Sequence, residues 1–318
     1  MKKVAIGIDI GGTSVKLGIV NSKGKILHRS DFLTKNFPGR EKFLKALTDE
    51  IGVLKKVAVK KGFEISGVGI GAPGPIRVED GFVYFFPNIP GWKNTPFKKI
   101  LTARLRMPVY LDNDANAMAL AEYAFGAGKD VKNLIALTLG TGIGGGIVLN
   151  GKLFHGPAYS AAEIGHMTIN EDGPLCACGS RGCIEAYVGN GYLIAEIQKR
   201  LKSGRKSILT QWIKEGKVLT PKTCGDAARA GDVFSQALWM EMGEHLATAI
   251  AALLNILNPE KIILGGGIAQ NTDLLFPPLK RSLKKKAFPI AFRSVRVVPA
   301  ALGVDAGLIG AAALVYAG

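Results

Sequence analysis

The chain contains the same short pattern twice, and this repeat constrains the fold more than any other feature. Each copy has a β-run, a turn of glycine and threonine, and a second β-run, which is typical of a hairpin. With an offset of about 128 residues, Gly12-Thr13 aligns with Gly140-Thr141, and residues 18–20 align with 146–148. Two matches in one register indicate an internal duplication, so we expect two related α/β domains.

Both turns are suited to binding phosphate through the backbone. Glycine permits a close approach, so that N–H groups can face an anion, and threonine adds a hydroxyl donor. The first hairpin also carries Lys16 as a cation and Asp9 as a carboxylate able to hold hydrated Mg²⁺, whereas Asp9 aligns with Leu137 in the second copy. A single Gly-Gly hairpin is structural at least as often as functional. Two of them predict a nucleotide held in a cleft between the two domains.

A second feature is a cluster of cysteine and histidine. Cys176, Cys178 and Cys183 have the spacing C-x-C-x4-C, and His166 lies ten residues before the first of them. Three thiolates and one imidazole fill a tetrahedral Zn²⁺ shell, which predicts a structural metal with no open catalytic position. Cys224 lies outside the cluster, and we interpret it as a small buried hydrophobic residue.

Acidic side chains lie beside this cluster and at a strand-to-helix junction. Glu163 and Glu185 flank the cysteines, where they can bind hydroxyl groups. Asp112-Asn113-Asp114 joins a predicted strand at 108–111 to a predicted helix at 115–125. Asp114 is either a helix N-cap or a base that accepts a hydroxyl proton, and a helix N-terminus favours its ionised form.

Three further segments are less specific. The Pro-rich loops at 71–76 and 86–92, the second with Asn88 at its centre, are structural turns or ligand contacts. The run Gly265–Gly267 follows a predicted strand and offers bare backbone to a flat ligand such as adenosine. Helices are predicted at 41–60, 185–201, 233–257 and 305–317, with a loop and a short helix at 202–222.

Composition excludes several classes of protein. With 318 residues, of which 47% are hydrophobic and 21% charged, the chain matches a soluble globular protein of two domains. The apolar runs Leu246–Leu257 and Ala306–Ala317 are about half the ~20 residues of a membrane helix, and the start at Met1–Val4 leads us to expect no signal peptide. Cysteines gathered in a metal-like cluster favour a reducing cytoplasm. The net charge of +16 comes from scattered lysines, so we expect attraction of polyanions such as nucleotides and no nucleic-acid partner.

Taken together, these motifs resemble the repressor/open-reading-frame/kinase (ROK) sugar kinases, and among them the glucokinase-like group. The resemblance runs in family order from residue 9 to 268. The matching stretches are D-I-G-G-T-S-V-K (9–16), G-A-P-G-P (71–75), N-I-P-G-W (88–92), D-N-D-A-N (112–116), L-G-T-G-I-G-G-G (139–146), E-I-G-H-M (163–167), C-A-C-G-S-R-G-C-I-E (176–185) and L-G-G-G-I (264–268).

The resemblance implies an actin-like, ribonuclease H-like duplicated α/β fold with two lobes and a central cleft. We expect a smaller lobe from residues 1–112 and 302–318, and a larger lobe with the zinc loop from residues 113–301. It also implies a cytoplasmic homodimer or homotetramer that phosphorylates glucose at its 6-hydroxyl with ATP and Mg²⁺, and holds a structural Zn²⁺.

Residue roles follow from the same resemblance. Asp114 is implied as the general base. The implied sugar ligands are Asn88, Asn113, Asp114, Glu163, His166 and Glu185. The implied nucleotide and Mg²⁺ contacts are Asp9, Gly11, Gly12, Thr13, Lys16, Gly140, Thr141, Gly142, Gly265, Gly266 and Gly267.

Several alternatives remain at this stage. The sugar can be N-acetylmannosamine, fructose or several hexoses, and the donor can be ADP or polyphosphate. A sugar-sensing repressor is disfavoured because the chain begins at its first hairpin strand, without a DNA-binding extension. A glycosidase leaves the phosphate-binding hairpins unexplained. A nucleotide-switched structural protein of the actin type does not explain Glu163, Glu185 or the zinc loop.

Overall fold

Two five-stranded sheets of matching topology organise the structure, a computed structural model that describes residues 1–87 and 89–317. Asn88, one of the predicted sugar ligands, lies outside the described residues. The strands are β1 (Lys2–Ile10), β2 (Ser14–Asn21), β3 (Ile26–Leu33), β4 (Phe63–Ala72), β5 (Ile76–Arg77), β6 (Phe82–Phe85), β7 (Lys93–Thr95), β8 (Val109–Asn113), β9 (Leu134–Leu139), β10 (Ile143–Leu149), β11 (Lys152–Leu153), β12 (Lys261–Gly265) and β13 (Arg296–Pro299).

Helices connect and cover these sheets. They are α1 (Arg40–Lys60), α2 (Phe97–Leu105), α3 (Asp114–Phe125), α4 (Glu185–Val188), α5 (Asn190–Lys202), α6 (Ile208–Lys214), α7 (Pro221–Arg229), α8 (Val233–Leu257), α9 (Gly266–Ala269), α10 (Thr272–Lys286), α11 (Pro289–Ser294) and α12 (Ala306–Ala317). Short 3₁₀ turns occur at Thr34–Asn36, Ile164–His166 and Gly303–Asp305. Within the described residues, no helix combines the length and apolar character needed to span a bilayer.

The two sheets repeat one strand order. The first is β3-β2-β1-β4-β8, and the second is β11-β10-β9-β12-β13. In the first, β1 pairs antiparallel with β2 and parallel with β4, and β4 is parallel to β8. In the second, β10 pairs antiparallel with β11, while β12 is parallel to both β9 and β13. This correspondence, strand by strand, supports the predicted duplication. A smaller antiparallel sheet has the order β5-β6-β7.

The first sheet is buried on both faces because helices cover it. Helix α1 contributes a buried stripe to one face, consisting of Phe43, Leu44, Leu47, Ile51 and Leu54. Helix α12, which is apolar all round, packs on the sheet at glycine positions. A Cβ added at Gly69 would clash with the carbonyl oxygen of Ala311, so the helix can approach β4 only because this residue has no side chain.

The chain forms two compact units whose limits differ from the predicted lobes. Unit 1 contains residues 1–132, 146–162 and the segment from Ala301, and unit 2 contains residues 133–145 and 163–300. The prediction assigned 113–132 and 146–162 to the larger lobe. Residues 113–132 belong to unit 1 because α3 packs against α12, so tightly that a Cβ at Gly310 would clash with the carbonyl of Ala117. The segment 146–162 follows because it begins against α3, where a Cβ at Gly146 would clash with the carbonyl of Ala115. A strand-to-helix junction does not reveal this long-range packing.

Most predicted helices are present, with one correction. The helix predicted at 185–201 is two helices, α4 and α5, because Gly189 is extended between them with φ −58° and ψ 140°. The segment 202–222 contains the short helix α6, as predicted, and the start of α7. Helix α10 was not predicted, and Pro277-Pro278 inside it explains why. The helix predicted at 233–257 is α8, and it buries an apolar stripe at residues 238, 242, 246, 250 and 254.

Candidate active site

The backbone of the first glycine turn, in unit 1, accepts two hydrogen bonds from a threonine. The Gly11 N–H donates to the carbonyl of Ser14 at 3.0 Å and closes the turn. Thr34 contacts both ends of the turn, since its hydroxyl donates to the carbonyl of Gly11 at 2.8 Å and its N–H to that of Thr13 at 3.0 Å. Gly12 is exposed at the tip, beside the exposed Thr13. Thr34 was not predicted, and no local pattern marks it.

Asp9 is the penultimate residue of β1, the strand that leads into this turn. It lies opposite Lys16 in the β1–β2 ladder, and the first turn of α12 packs against its carboxylate. A Cβ added at Gly307 would lie 2.7 Å from Asp9 Oδ2. Burial raises the pKa of the Asp9 carboxyl, and the charge of Lys16 acts in the opposite direction. A partly buried carboxylate with incomplete charge compensation fits a site for a hydrated divalent cation.

The junction between β8 and α3 identifies the residue that caps the helix. Asn113 is the N-cap, because its Oδ1 accepts from the N–H of Ala115 at 2.9 Å and of Asn116 at 3.4 Å. Its Nδ2 donates to the carbonyl of Gly74 at 3.3 Å. Asp114 is the first residue of the helix, is partly buried, and also accepts from the Ala115 N–H at 2.8 Å. Capping therefore does not require Asp114, although the predicted sugar contact of Asn113 must share an amide that already makes three hydrogen bonds.

The second glycine turn, in unit 2, is bound to a predicted sugar ligand. The Gly140 N–H donates to the carbonyl of Gly142 at 2.9 Å, and Thr141 is exposed. Glu185 Oε2 accepts from the N–H of Ile143 at 2.8 Å, and a Cβ added at Gly142 would clash with this oxygen. The carboxylate thus fills the space beside the turn.

The break between α4 and α5 also contacts this turn. The N–H of Asn190, the first residue of α5, donates to the carbonyl of Gly140 at 2.9 Å. The extended Gly189 places that N–H beyond the end of α4. The chain after the cysteine cluster is therefore fixed to the second turn at two points, Glu185 and Asn190.

The glycine run at 265–267 is a strand-to-helix turn. Gly265 ends β12 and is buried, whereas Gly266 and Gly267 are exposed in the short helix α9. Gly266 has φ +87°, and a Cβ there would clash with the backbone of Leu139. The requirement for glycine at 266 is thus structural, and a Cβ at Gly267 would meet open space.

The cysteine cluster has the geometry of a tetrahedral metal site. One ligand atom from each of His166, Cys176, Cys178 and Cys183 lies within 4.8 Å of every other. Cys178 Sγ lies 3.7 Å from Cys183 Sγ, and Cys176 Sγ lies 3.7 Å from His166 Nδ1. Bonds of about 2.3 Å to a tetrahedral Zn²⁺ would separate two sulfurs by roughly 3.8 Å. The four residues fit a structural zinc, with His166 contributing Nδ1.

Protonation of the thiols differs between the ligands. Burial raises the pKa of the Cys183 thiol to about 12, whereas a backbone hydrogen bond at Ser180 lowers the pKa of Cys178. Zinc binds thiolates, so loading of the site releases protons.

The loop that carries the ligands packs on the second hairpin. Glu163 precedes the 3₁₀ turn Ile164–His166, and its carbonyl accepts the N–H of His166 at 3.0 Å. A Cβ at Gly165 would clash with the carbonyl of Ile143, so the turn lies directly against β10. The Glu163 side chain is exposed. Unit 2 therefore brings Glu163, His166, Glu185 and the second glycine turn onto one framework, while unit 1 carries Asp9, the first turn, Asn113 and Asp114.

Comparison with known proteins identifies the family. A family model described as "ROK family" matches residues 5–317. The chain is 38% identical to a glucokinase of Thermotoga maritima, over 98% of this chain and 96% of that protein. The chain belongs to the ROK family. It is also 34% identical to a xylose repressor of Caldicellulosiruptor bescii, over 98% of this chain and 77% of that protein.

A solved ROK structure has the same architecture. The ROK family glucokinase from Streptomyces griseus in complex with glucose and AMPPNP superposes with a TM-score of 0.82 at 34% identity, over 99% of this chain and 100% of that one. The predicted family and the predicted actin-like α/β fold are thereby confirmed for this ROK protein.

Proposed function

We propose that this ROK protein is an ATP-dependent glucokinase that transfers the γ-phosphoryl group of ATP to the 6-hydroxyl of glucose. The observation that carries the proposal is the junction between β8 and α3. There Asn113 caps the helix, and Asp114 stands as a carboxylate in its first turn. The similarity to glucokinases over nearly the whole chain supports the same substrate class.

Asp114 acts as the general base in this mechanism. Its carboxylate accepts the proton of the sugar 6-hydroxyl while the oxygen of that hydroxyl bonds to the γ-phosphorus and the bond to the β-phosphate oxygen breaks, releasing ADP. The helix N-terminus stabilises the ionised carboxylate before the transfer. Phosphoryl transfer needs little covalent chemistry from protein, so orientation of the hydroxyl and of the phosphates contributes most of the remaining catalysis.

The sugar and the nucleotide use different groups. Glu163, His166, Glu185, Asn113 and Asn88 are proposed to bind sugar hydroxyls, with His166 using the ring nitrogen that does not face the cysteines. The proposed nucleotide contacts are Gly11, Gly12, Thr13, Lys16, Gly140, Thr141, Gly142 and Gly265–Gly267. Asp9 is proposed to hold Mg²⁺, whose charge, when bound, offsets that of the β- and γ-phosphates. The proposed zinc is structural and holds the loop that carries His166.

The experiment is a coupled assay of a hexose panel against ATP, ADP and polyphosphate. We expect the highest kcat/KM for glucose with ATP, and loss of about 10³-fold or more in kcat for Asp114→Asn with glucose binding retained, because the variant removes the proton acceptor and keeps the shape. Near-normal turnover by Asp114→Asn would refute the base. Preference for N-acetylmannosamine, fructose or polyphosphate would keep the mechanism and change the substrate.

A second candidate is a sugar-responsive regulator, which the similarity to a xylose repressor favours. It would bind the sugar without consuming ATP, so the same assay separates the two. We also propose a homodimer or homotetramer in the cytoplasm, supported by the family resemblance. Light scattering of the purified protein tests the assembly, and a monomer at working concentration would contradict it.

A further inference from the structure

Two residues before Asp114 in the chain is a buried aspartate, and both oxygens of its carboxylate have hydrogen-bond partners. Asp112, the fourth residue of β8, has a side chain that is 2% exposed. Its Oδ1 accepts from the N–H of Asn113 at 2.7 Å and from the Nδ2 of Asn116 at 2.9 Å. Its Oδ2 lies 2.7 Å from Nε2 of His155. All four residues belong to unit 1.

The two residues that donate to Asp112 Oδ1 lie on either side of Asp114 in the sequence. Asn113 precedes it, and Asn116 follows two residues later on the first turn of α3. One carboxylate oxygen therefore ties the end of the strand to the start of the helix, across the residue that carries the proposed base. A small rotation of this turn would move the Asp114 carboxylate, and a misplacement of about 1 Å at a reacting group can cost ~100-fold in rate.

His155 completes the arrangement from a distant part of the sequence. It follows β11 and is 21% exposed. A buried carboxylate is costly without a partner, and a protonated His155, with Nε2 2.7 Å from Oδ2, would balance the charge of Asp112. Asp112 raises the pKa of His155 chiefly through their hydrogen bond. The net charge of Asp112 and His155, next to the turn that carries Asp114, therefore depends on whether His155 carries a proton.

We propose that Asp112 and His155 form a positioning pair for the base, in which Asp112 fixes the turn that carries Asp114 and His155 holds and neutralises Asp112. The pair does not touch the substrate. This inference rests on the proposed role of Asp114 in phosphoryl transfer.

Solvent reaches the pair through a cavity of about 640 Å³ on this side of the unit. Charged and titratable groups face it from several elements, namely Lys98 on α2, Tyr110 on β8 and Lys152 on β11. The ring of Tyr159 lies 6.1 Å from that of His155. The hydrogen bond to Asp112 raises the pKa of His155, and burial of the ring acts in the opposite direction.

The test compares His155→Gln, which keeps an N–H donor but not the charge, with His155→Leu, which keeps neither. We expect kcat to fall about tenfold in the leucine variant and less in the glutamine variant, with the KM for glucose nearly unchanged. In both variants the uncompensated charge of Asp112 opposes ionisation nearby, so the acid limb of the kcat/KM profile moves to higher pH by about half a unit. His245→Gln, which changes a half-buried histidine of unit 2, is the matched control and keeps the wild-type profile.

If His155→Leu does not fold, Asn116→Ala is used instead, because it removes the hydrogen bond to the other oxygen of Asp112. We then expect a lower kcat with the acid limb of the pH profile unchanged. Wild-type kcat and pH profile in the His155 variants, with Asp114→Asn inactive, would overturn the positioning pair and leave the proposed function intact. An active Asp114→Asn would instead refute the base itself. A loss confined to the KM for glucose would place His155 in sugar binding and would also overturn the proposal.

Discussion

Substitution of Glu185 tests whether the zinc loop and the second glycine turn act as one structure. Its Oε2 accepts the N–H of Ile143 at 2.8 Å and fills the space beside Gly142. A hydrogen bond to a charged group contributes about 1.5–3 kcal/mol. Because the side chain is only partly buried, solvent weakens the interaction, and we take a reduced value of about 1–2 kcal/mol, which corresponds to a factor of ~5–30.

We expect Glu185→Ala to raise the KM for glucose and the KM for ATP, each by about 5–30-fold, since one oxygen orders the nucleotide turn and the other is proposed to bind the sugar. Glu185→Gln keeps an acceptor for Ile143 and should affect ATP less than glucose. The assay varies each substrate at saturating levels of the other.

Glu196→Ala is the matched control, because Glu196 is a partly buried glutamate of unit 2 that pairs with Arg200 at 2.8 Å. Its KM values should match those of the wild type. If Glu185→Ala changed only the KM for glucose, the link between the loop and the nucleotide turn would be refuted.

Three further predictions concern stability. Glu122→Gln should lower the free energy of unfolding by about 2–4 kcal/mol, because the buried carboxylate accepts N–H groups from Ala127, Ala301 and Leu302 at 2.8, 3.1 and 2.9 Å; an unchanged urea midpoint would contradict this. Because the pKa of His155 is raised in the folded protein, protonated His155 stabilises the fold. This contribution to the free energy of unfolding is fully present below about pH 6.5 and is lost as pH rises through the raised pKa. The difference in melting temperature between wild type and His155→Gln should therefore shrink at alkaline pH, and a constant difference would be evidence against it. Metal analysis should find one zinc per chain, and a chelator should lower the melting temperature; active protein without zinc would remove the structural site.

The sequence was sufficient for the parts of the fold that depend on local pattern. The two glycine hairpins and the long helix α8 follow from local patterns, and the structure has them where they were predicted. The four predicted metal ligands also lie together, in an arrangement compatible with zinc. The helix break at Gly189 was missed because its cause is a contact with Gly140, far away in sequence.

The same limit applies to the site. Contacts that join distant segments were not predictable, such as Thr34 beneath the first turn, Gly307 against Asp9, and His155 against Asp112, which lie 43 residues apart. A single histidine after a short strand has no pattern that marks its partner. The N-cap at the start of α3 was also ambiguous, since adjacent Asn and Asp side chains cap helices about equally well, and only the geometry distinguishes Asn113 from Asp114.

The duplication predicts that a carboxylate is tolerated at position 9 of the first hairpin but not at the aligned position of the second. Asp9 aligns with Leu137, which is 1% exposed and lies opposite Leu264 in the ladder between β9 and β12. Leu137→Asp would bury a charge among apolar strands and should cost about 3–5 kcal/mol, measured by urea unfolding. The reciprocal Asp9→Leu should be stable or slightly stabilised at neutral pH, because burial already raises the pKa of Asp9 and so opposes its charge, while activity with Mg²⁺ and ATP is lost. If the two variants were equally stable, the two hairpins would be interchangeable at this position. The hypothesis that Asp9 lowers stability and is kept for its role in Mg²⁺ binding would then be refuted.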